Sequence, residues 1–119
     1  MKTEVDKLIM KTLNSLPESF KCDVFKYRAV TEASTYIVFN IWNEHDLFYA
    51  GDEPIGTQSM IAVNIYSDDE NKKLICCVKS KLRKAGFSII STQSIFNDET
   101  ERIQTIIELL YEDLCDGFY

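Results

Sequence analysis

The sequence predicts an α+β fold: two helices packed on one face of a mixed, mainly antiparallel sheet, in the order α-β-β-β-α-β-β. Three observations carry this expectation. Apolar residues open the chain at helical spacing, and alternation of period two recurs in the middle and at the end. An amphipathic, lysine-rich segment separates the first three expected strands from the last two.

Val5, Leu8, Ile9, Leu13 and Leu16 lie on one side of a helical wheel. Thr3 suits the N-cap, and Pro17 stops the helix because its ring removes a donor and clashes with the preceding turn. Residues 22–30 contain Val24, Phe25 and Tyr27 and read as a short strand. Residues 35–44 read more strongly. Ile37, Phe39 and Ile41 alternate with Tyr36, Val38, Asn40 and Trp42, so both faces carry apolar bulk. Residues 60–66 form the partner strand, with Ile61, Val63 and Ile65 on one face. The connection from His45 to Gly56 is too long for a tight hairpin and reads as a functional loop.

Ser67-Asp68-Asp69-Glu70 has the form of a capping box, with its acids placed to complement a helix N-terminus. In the helix that follows, Leu74, Ile75, Cys77, Val78, Leu82 and Ala85 share one face. Lys72, Lys73, Cys76, Lys79, Arg83 and Lys84 lie opposite, and Gly86 supplies the stop. Residues 87–96 form a strand around Ile89 and Ile90, and Asn97-Asp98-Glu99 turns the chain. Residues 101–114 form the last strand, where β-branched density outweighs the helical alternative. Ile103, Thr105, Ile107, Leu109 and Tyr111 share its inner face. Two helices cover only one face of such a sheet and leave the other to water or a partner.

A 119-residue chain with 45% hydrophobic and 27% charged residues supports one core, so residues 1–119 are expected to form one domain. No apolar run reaches the roughly 20 residues of a membrane span, and the first residues have no secretory apolar stretch. The expectation is a cytoplasmic protein with no membrane partner. Cys22, Cys76, Cys77 and Cys115 are scattered without a CxxC spacing, which favours free thiols over a disulfide scaffold or zinc site.

The net charge of −6 opposes general phosphate binding, and its distribution is uneven. No Lys or Arg occurs between Arg28 and Lys72. The bases Lys72, Lys73, Lys79, Lys81, Arg83 and Lys84 then cluster in one helix, and Arg102 alone follows. The cluster reads either as a solvated face or as a protein interface. A basic side on an acidic protein suits head-to-tail association, which closes into rings when the rotation allows.

Catalytic groups are sparse. His45 is the sole histidine and has no nucleophile motif beside it. Asp68, Asp69 and Glu70 suit a divalent cation, but the helix cap accounts for them. No glycine-rich phosphate loop occurs. The sequence therefore predicts a non-enzymatic protein with no catalytic residue, metal or cofactor.

Several of these pieces occur together in one known family. Thr35-Tyr36-Ile37-Val38-Phe39 leads into Tyr49-Ala50-Gly51-Asp52-Glu53-Pro54. Ile61-Ala62-Val63-Asn64-Ile65-Tyr66-Ser67 follows, and then the helix end Leu82-Arg83-Lys84-Ala85-Gly86-Phe87. This succession resembles the tail-terminator, or tail-completion, proteins of long-tailed phages and prophages, over about residues 35–112. Gly51 stands where that family often has an aspartate. Arg102-Ile103-Gln104 stands where an aromatic and a histidine are frequent.

The resemblance implies a homo-oligomeric ring, usually a hexamer, that caps the tail-tube protein and presents a surface to the head-tail connector protein. DNA passes through such a ring without specific binding. The implied location is the neck end of the virion tail, with host cytoplasm as the site of assembly. On that reading Asp46, Leu47, Phe48, Tyr49, Asp52, Glu53 and Ile55 face the tube or lumen. Lys72, Lys73, Cys76, Lys79, Arg83 and Lys84 form the subunit interface. The alternatives are another neck component, such as a head-closure or adaptor protein, and a small nucleic-acid-binding regulator that uses the basic helix.

Overall fold

The computed structural model describes residues 5–47 and 55–114. Helix α1 spans Val5–Asn14, and a single 3-10 turn, Glu18–Phe20, follows Pro17. Strand β1 is Asp23–Lys26, β2 is Tyr36–Leu47 and β3 is Gly56–Ser67. Helix α2 is Lys72–Lys84, and strands β4 (Ser88–Asn97) and β5 (Arg102–Leu114) complete the chain. The α-β-β-β-α-β-β order read from the sequence is therefore the order of the fold.

The five strands lie in the order β1-β2-β3-β5-β4. β1 runs parallel to β2, and every other neighbouring pair is antiparallel. The sheet is thus mixed and mainly antiparallel, as the sequence reading expects. β5 lies between β3 and β4, which settles residues 102–114 as a strand rather than a helix.

The core forms between the two helices and one sheet face. Val5, Ile9 and Leu13 of α1 meet Leu74, Ile75, Val78 and Leu82 of α2 in one buried cluster. The strands contribute Ile37, Phe39, Ile61, Val63, Ile65, Ile107 and Leu109, all essentially inaccessible to solvent. These strand positions alternate, so the pleat drives one set inward and presents the other outward. Burying a side chain of this size contributes about 1.5–3 kcal/mol, and the cluster dominates the stability of the domain.

Three boundaries differ from the sequence reading. β1 is shorter than residues 22–30 because Tyr27 adopts φ 67, a left-handed conformation that ends extended pairing. β2 and β3 are longer than expected. They pair from Tyr36 with Tyr66 out to Leu47 with Gly56, so His45, Asp46, Leu47 and Gly56 of the expected loop are strand residues. Helix α2 begins later than the capping box predicts. The Asn71 side chain accepts a hydrogen bond from the Leu74 N–H at 3.1 Å, while the Ser67 hydroxyl donates to the Asp69 carbonyl. Ser67 is committed to β3, so its backbone cannot also start the helix.

The C-terminus of α2 follows the sequence reading closely. Gly86 has φ +102, its N–H donates to the Arg83 carbonyl, and the Phe87 N–H donates to the Leu82 carbonyl. This paired arrangement is a Schellman cap, and Leu82 and Phe87 are both buried beside it. Tyr111 of β5 stacks at a tilt on Phe87, with ring centroids 4.8 Å apart. The cap thereby fixes where β4 enters the sheet.

Candidate functional site

The helix α2 surface carries the charge segregation seen in the sequence. Lys72, Lys73, Cys76, Arg83 and Lys84 are exposed and Lys79 is partly so, while Leu74, Ile75, Val78 and Leu82 are buried beneath them. The six proposed interface residues therefore share one outward face. Among the described residues, no acid forms an ion pair with a base of this helix. The described surface ion pair lies elsewhere, between Lys26 Nζ and Asp6 at 3.0 Å, where the ammonium holds the Asp6 carboxyl below its usual range.

The proposed contact loop divides differently. Asp46 and Leu47 are strand residues at the end of β2, opposite Thr57 and Gly56. Asp46 is exposed and Leu47 half-buried. Ile55 is buried, and its N–H donates to the Leu47 carbonyl at 2.8 Å. It extends the β2–β3 pairing by one rung, with its side chain turned into the protein rather than outward. Phe48, Tyr49, Asp52 and Glu53 lie outside the described residues. His45 also belongs to β2 rather than to a loop; it is exposed and pairs across from Gln58.

The sheet face away from the helices is partly covered by the connection between β1 and β2, residues 27–35. Tyr36 and Val38 are buried on this face, beside a cleft that Tyr27, Ala29, Tyr66 and Thr100 also line. Arg102 holds the connection: its Nε donates to the Ser34 carbonyl at 3.0 Å and Nη1 to the Thr100 carbonyl at 2.9 Å. The sequence marks Arg102 as an isolated base within a departure from the family pattern, and gives no sign of this tethering role. Tyr36 and Tyr66 stack across β2 and β3 with centroids 4.8 Å apart, and burial raises the Tyr66 phenol above its usual pKa.

Next to this covered end runs a polar side-chain ladder. The Asn97 amide donates to Gln104, Gln104 donates to Asn64, and Asn64 donates to the Val38 carbonyl. It crosses β4, β5, β3 and β2 in turn. Such a ladder ties strands together laterally without presenting a reactive group. Among the described residues, no three His, Cys, Asp or Glu side chains come together as a metal set. Cys22 is half-buried next to Asp23, and burial pushes its thiol up to about 11. That makes it a poor nucleophile at neutral pH.

The fold and surface define a class: a two-layer α+β fold with a basic outer face on its second helix. No family model matches the sequence, and no curated protein does. The fold is similar to that of a chain in the solved structure of the virion of a native gene transfer agent particle. The TM-score is 0.63 over 90% of this chain and 92% of that chain, at 9% identity. At that identity the likeness is one of fold.

Proposed function

We propose that this chain is a structural virion-assembly protein, a ring-forming tail terminator that ends tube growth and offers a surface for head joining. The observation that carries the reading is the shared fold with a virion chain along nearly the whole length of both proteins. The sequence succession from Thr35 to Phe87 supports the same family independently of that match. The single basic helix face on an acidic chain suits heterologous contact between identical subunits. The protein acts through binding geometry, without catalysis, cofactor or metal.

On this reading the chain occupies the neck end of the tail, between the tail-tube protein and the head-tail connector, and DNA passes its acidic surface without adhering. The experiment is electron microscopy of tails assembled with and without the protein. Overlong, uncapped tubes in its absence are the expected result. Tails of normal length that fail to join heads would instead assign the chain to a head-closure or adaptor role. Normal, head-joined particles would remove it from assembly altogether.

A further inference from the structure

We propose that β4 and the outer half of β2 are the two sides of one self-assembly interface. In it, the β4 edge of one copy adds as an antiparallel strand to residues 40–47 of β2 in the next copy. This deepens the ring reading above and rests on it.

The first observation is an edge with no further strand among the described residues. β4 is the terminal strand of the sheet, and Ser88–Asn97 contains no charged residue and no proline. Sheet edges in proteins are ordinarily guarded by lysine, proline, bulges or a covering segment, because their free N–H and C=O groups recruit other strands. One bulge occurs, at Ile90, and beyond it residues 91–97 keep unbroken register with β5. Ile95 and Phe96 are 47% and 58% exposed along this run. An edge of this kind is a docking strand by its own chemistry.

The second observation is a complementary edge on the far side. β1 pairs only with residues from Tyr36 to Phe39 of β2. From residue 40 to Leu47, β2 has β3 on one side and no described strand on the other. Trp42, at the bulge in this stretch, is 52% exposed.

Direction, charge and stagger then select the pairing. The three antiparallel pairings between β2, β3, β5 and β4 make β4 run opposite to β2. Copies related by rotation about a ring axis therefore present β4 to β2 antiparallel. Glu44 and Asp46 sit opposite Ser59 and Thr57, on the helix side of the sheet. A sheet that continues between copies keeps its helix layer on one side, so these acids approach the layer holding the neighbour's basic α2. Pairing β4 with β4 about a two-fold axis would instead bring two basic helices together, which like-charge repulsion opposes.

The stagger is also that of a closed sheet. Ser94 lies level with Ile37 through the pairings Ser94–Thr105, Thr105–Ile65 and Ile65–Ile37. Bringing a neighbour's Ser94 level with Glu44 requires a shift of about six ladder positions, roughly 20 Å along the strand. Five strands span about 24 Å across. The resulting slope is about 40°, inside the roughly 35–45° tilt of closed barrels.

The test is hydrogen–deuterium exchange on the full chain, free and in assembled tails. Amides of residues 91–97 and 40–47 should exchange at least about tenfold more slowly in the tail, with β3 unchanged. Ile95→Lys and Gln93→Lys should keep the melting temperature of the free chain and fail to cap tails. Protection of 91–97 without 40–47, or capping by both lysine variants at wild-type yield, would overturn the pairing. A capped tail in which neither stretch is protected would also overturn it and leave the terminator reading standing. Absence of the chain from tails would defeat both.

Discussion

The side-chain amide of Gln104 donates to Asn64 Oδ1 at 2.9 Å, joining β5 to β3 on the sheet face opposite the helices. Gln104 is also the acceptor for Asn97, and Asn64 passes the chain on to the Val38 carbonyl. Each amide therefore uses both its donor and its acceptor, which fixes the orientation of every member. Replacing Gln104 with Leu strands Asn97 and Asn64 together. The expected loss is about 1–2 kcal/mol, since a net hydrogen bond contributes about 1 kcal/mol and half-buried orphans add to that. Urea denaturation with an unchanged slope and a lowered midpoint checks it.

Phe39 is fully buried in the cluster between helices and sheet. Phe39→Ala removes its ring from a site enclosed by several elements, and the cost should be about 3–5 kcal/mol. The melting temperature of the variant measures this, and a drop of only a degree or two would show that the site collapses freely.

Gly86 holds φ +102 at the end of α2, and a Cβ there would sit 3.6 Å from Tyr111. The contact is ordinary, so the penalty for Gly86→Ala is one of backbone conformation, about 1–2 kcal/mol. A loss well below that range would mean the Schellman cap tolerates a left-handed alanine.

Thiol chemistry should separate the cysteines. Cys76 is exposed, whereas burial and the Asp23 charge lift the Cys22 thiol to about 11 from 9.0. At pH 8, mass-spectrometric mapping after brief alkylation should show Cys76 modified well ahead of Cys22. The linkage has a definite sign. Between pH 9 and 11 the unfolded thiol loses its proton while the folded one keeps it, so stability falls as pH rises through that window. Cys22→Ala should flatten that part of the fall, and the residual slope reports Tyr66, raised by burial, together with Lys26, raised by its hydrogen bond to Asp6.

Reversing charge on the basic helix tests its role in contact between copies. Lys79→Glu/Arg83→Glu leaves the buried face of α2 untouched, so the melting temperature should stay near wild type. Mixed with wild-type protein, the variant should reduce capped tails at physiological salt. Unchanged capping would exclude the helix face from the interface.

The fold was largely legible because its signals are local. Ile37, Phe39, Ile61, Val63 and Ile65 alternate cleanly, and the α2 wheel separates apolar from basic residues with Lys81 as the exception. Boundaries were legible only where a backbone device marks them, as Gly86 does. Asn71 displaced the expected capping box because Ser67 is drawn into the sheet by pairing with Ile103, a residue far along the chain. The expected loop shrank for a similar reason: Asp46 and Leu47 gain ladder partners in Thr57 and Gly56 that no local pattern announces.

The site was legible in part. The basic face of Lys72, Lys73, Lys79, Arg83 and Lys84 follows from helical spacing alone, since spacing decides which side chains share a surface. That Ile55 is buried was not legible, because burial depends on what the end of the β2–β3 pair packs against.

The sequence by itself determined the order of helices and strands, which faces are apolar, and that positive charge gathers on one element. Those properties depend on neighbours a few positions apart. Only the tertiary structure decided that β5 inserts between β3 and β4, leaving the uncharged β4 at one edge and residues 40–47 of β2 without a second strand partner among the described residues. Strand order is a matter of long-range hydrogen bonding and helix coverage. The same ten residues of β4 would be unremarkable in the middle of the sheet, and at its edge they offer a row of unpaired backbone groups.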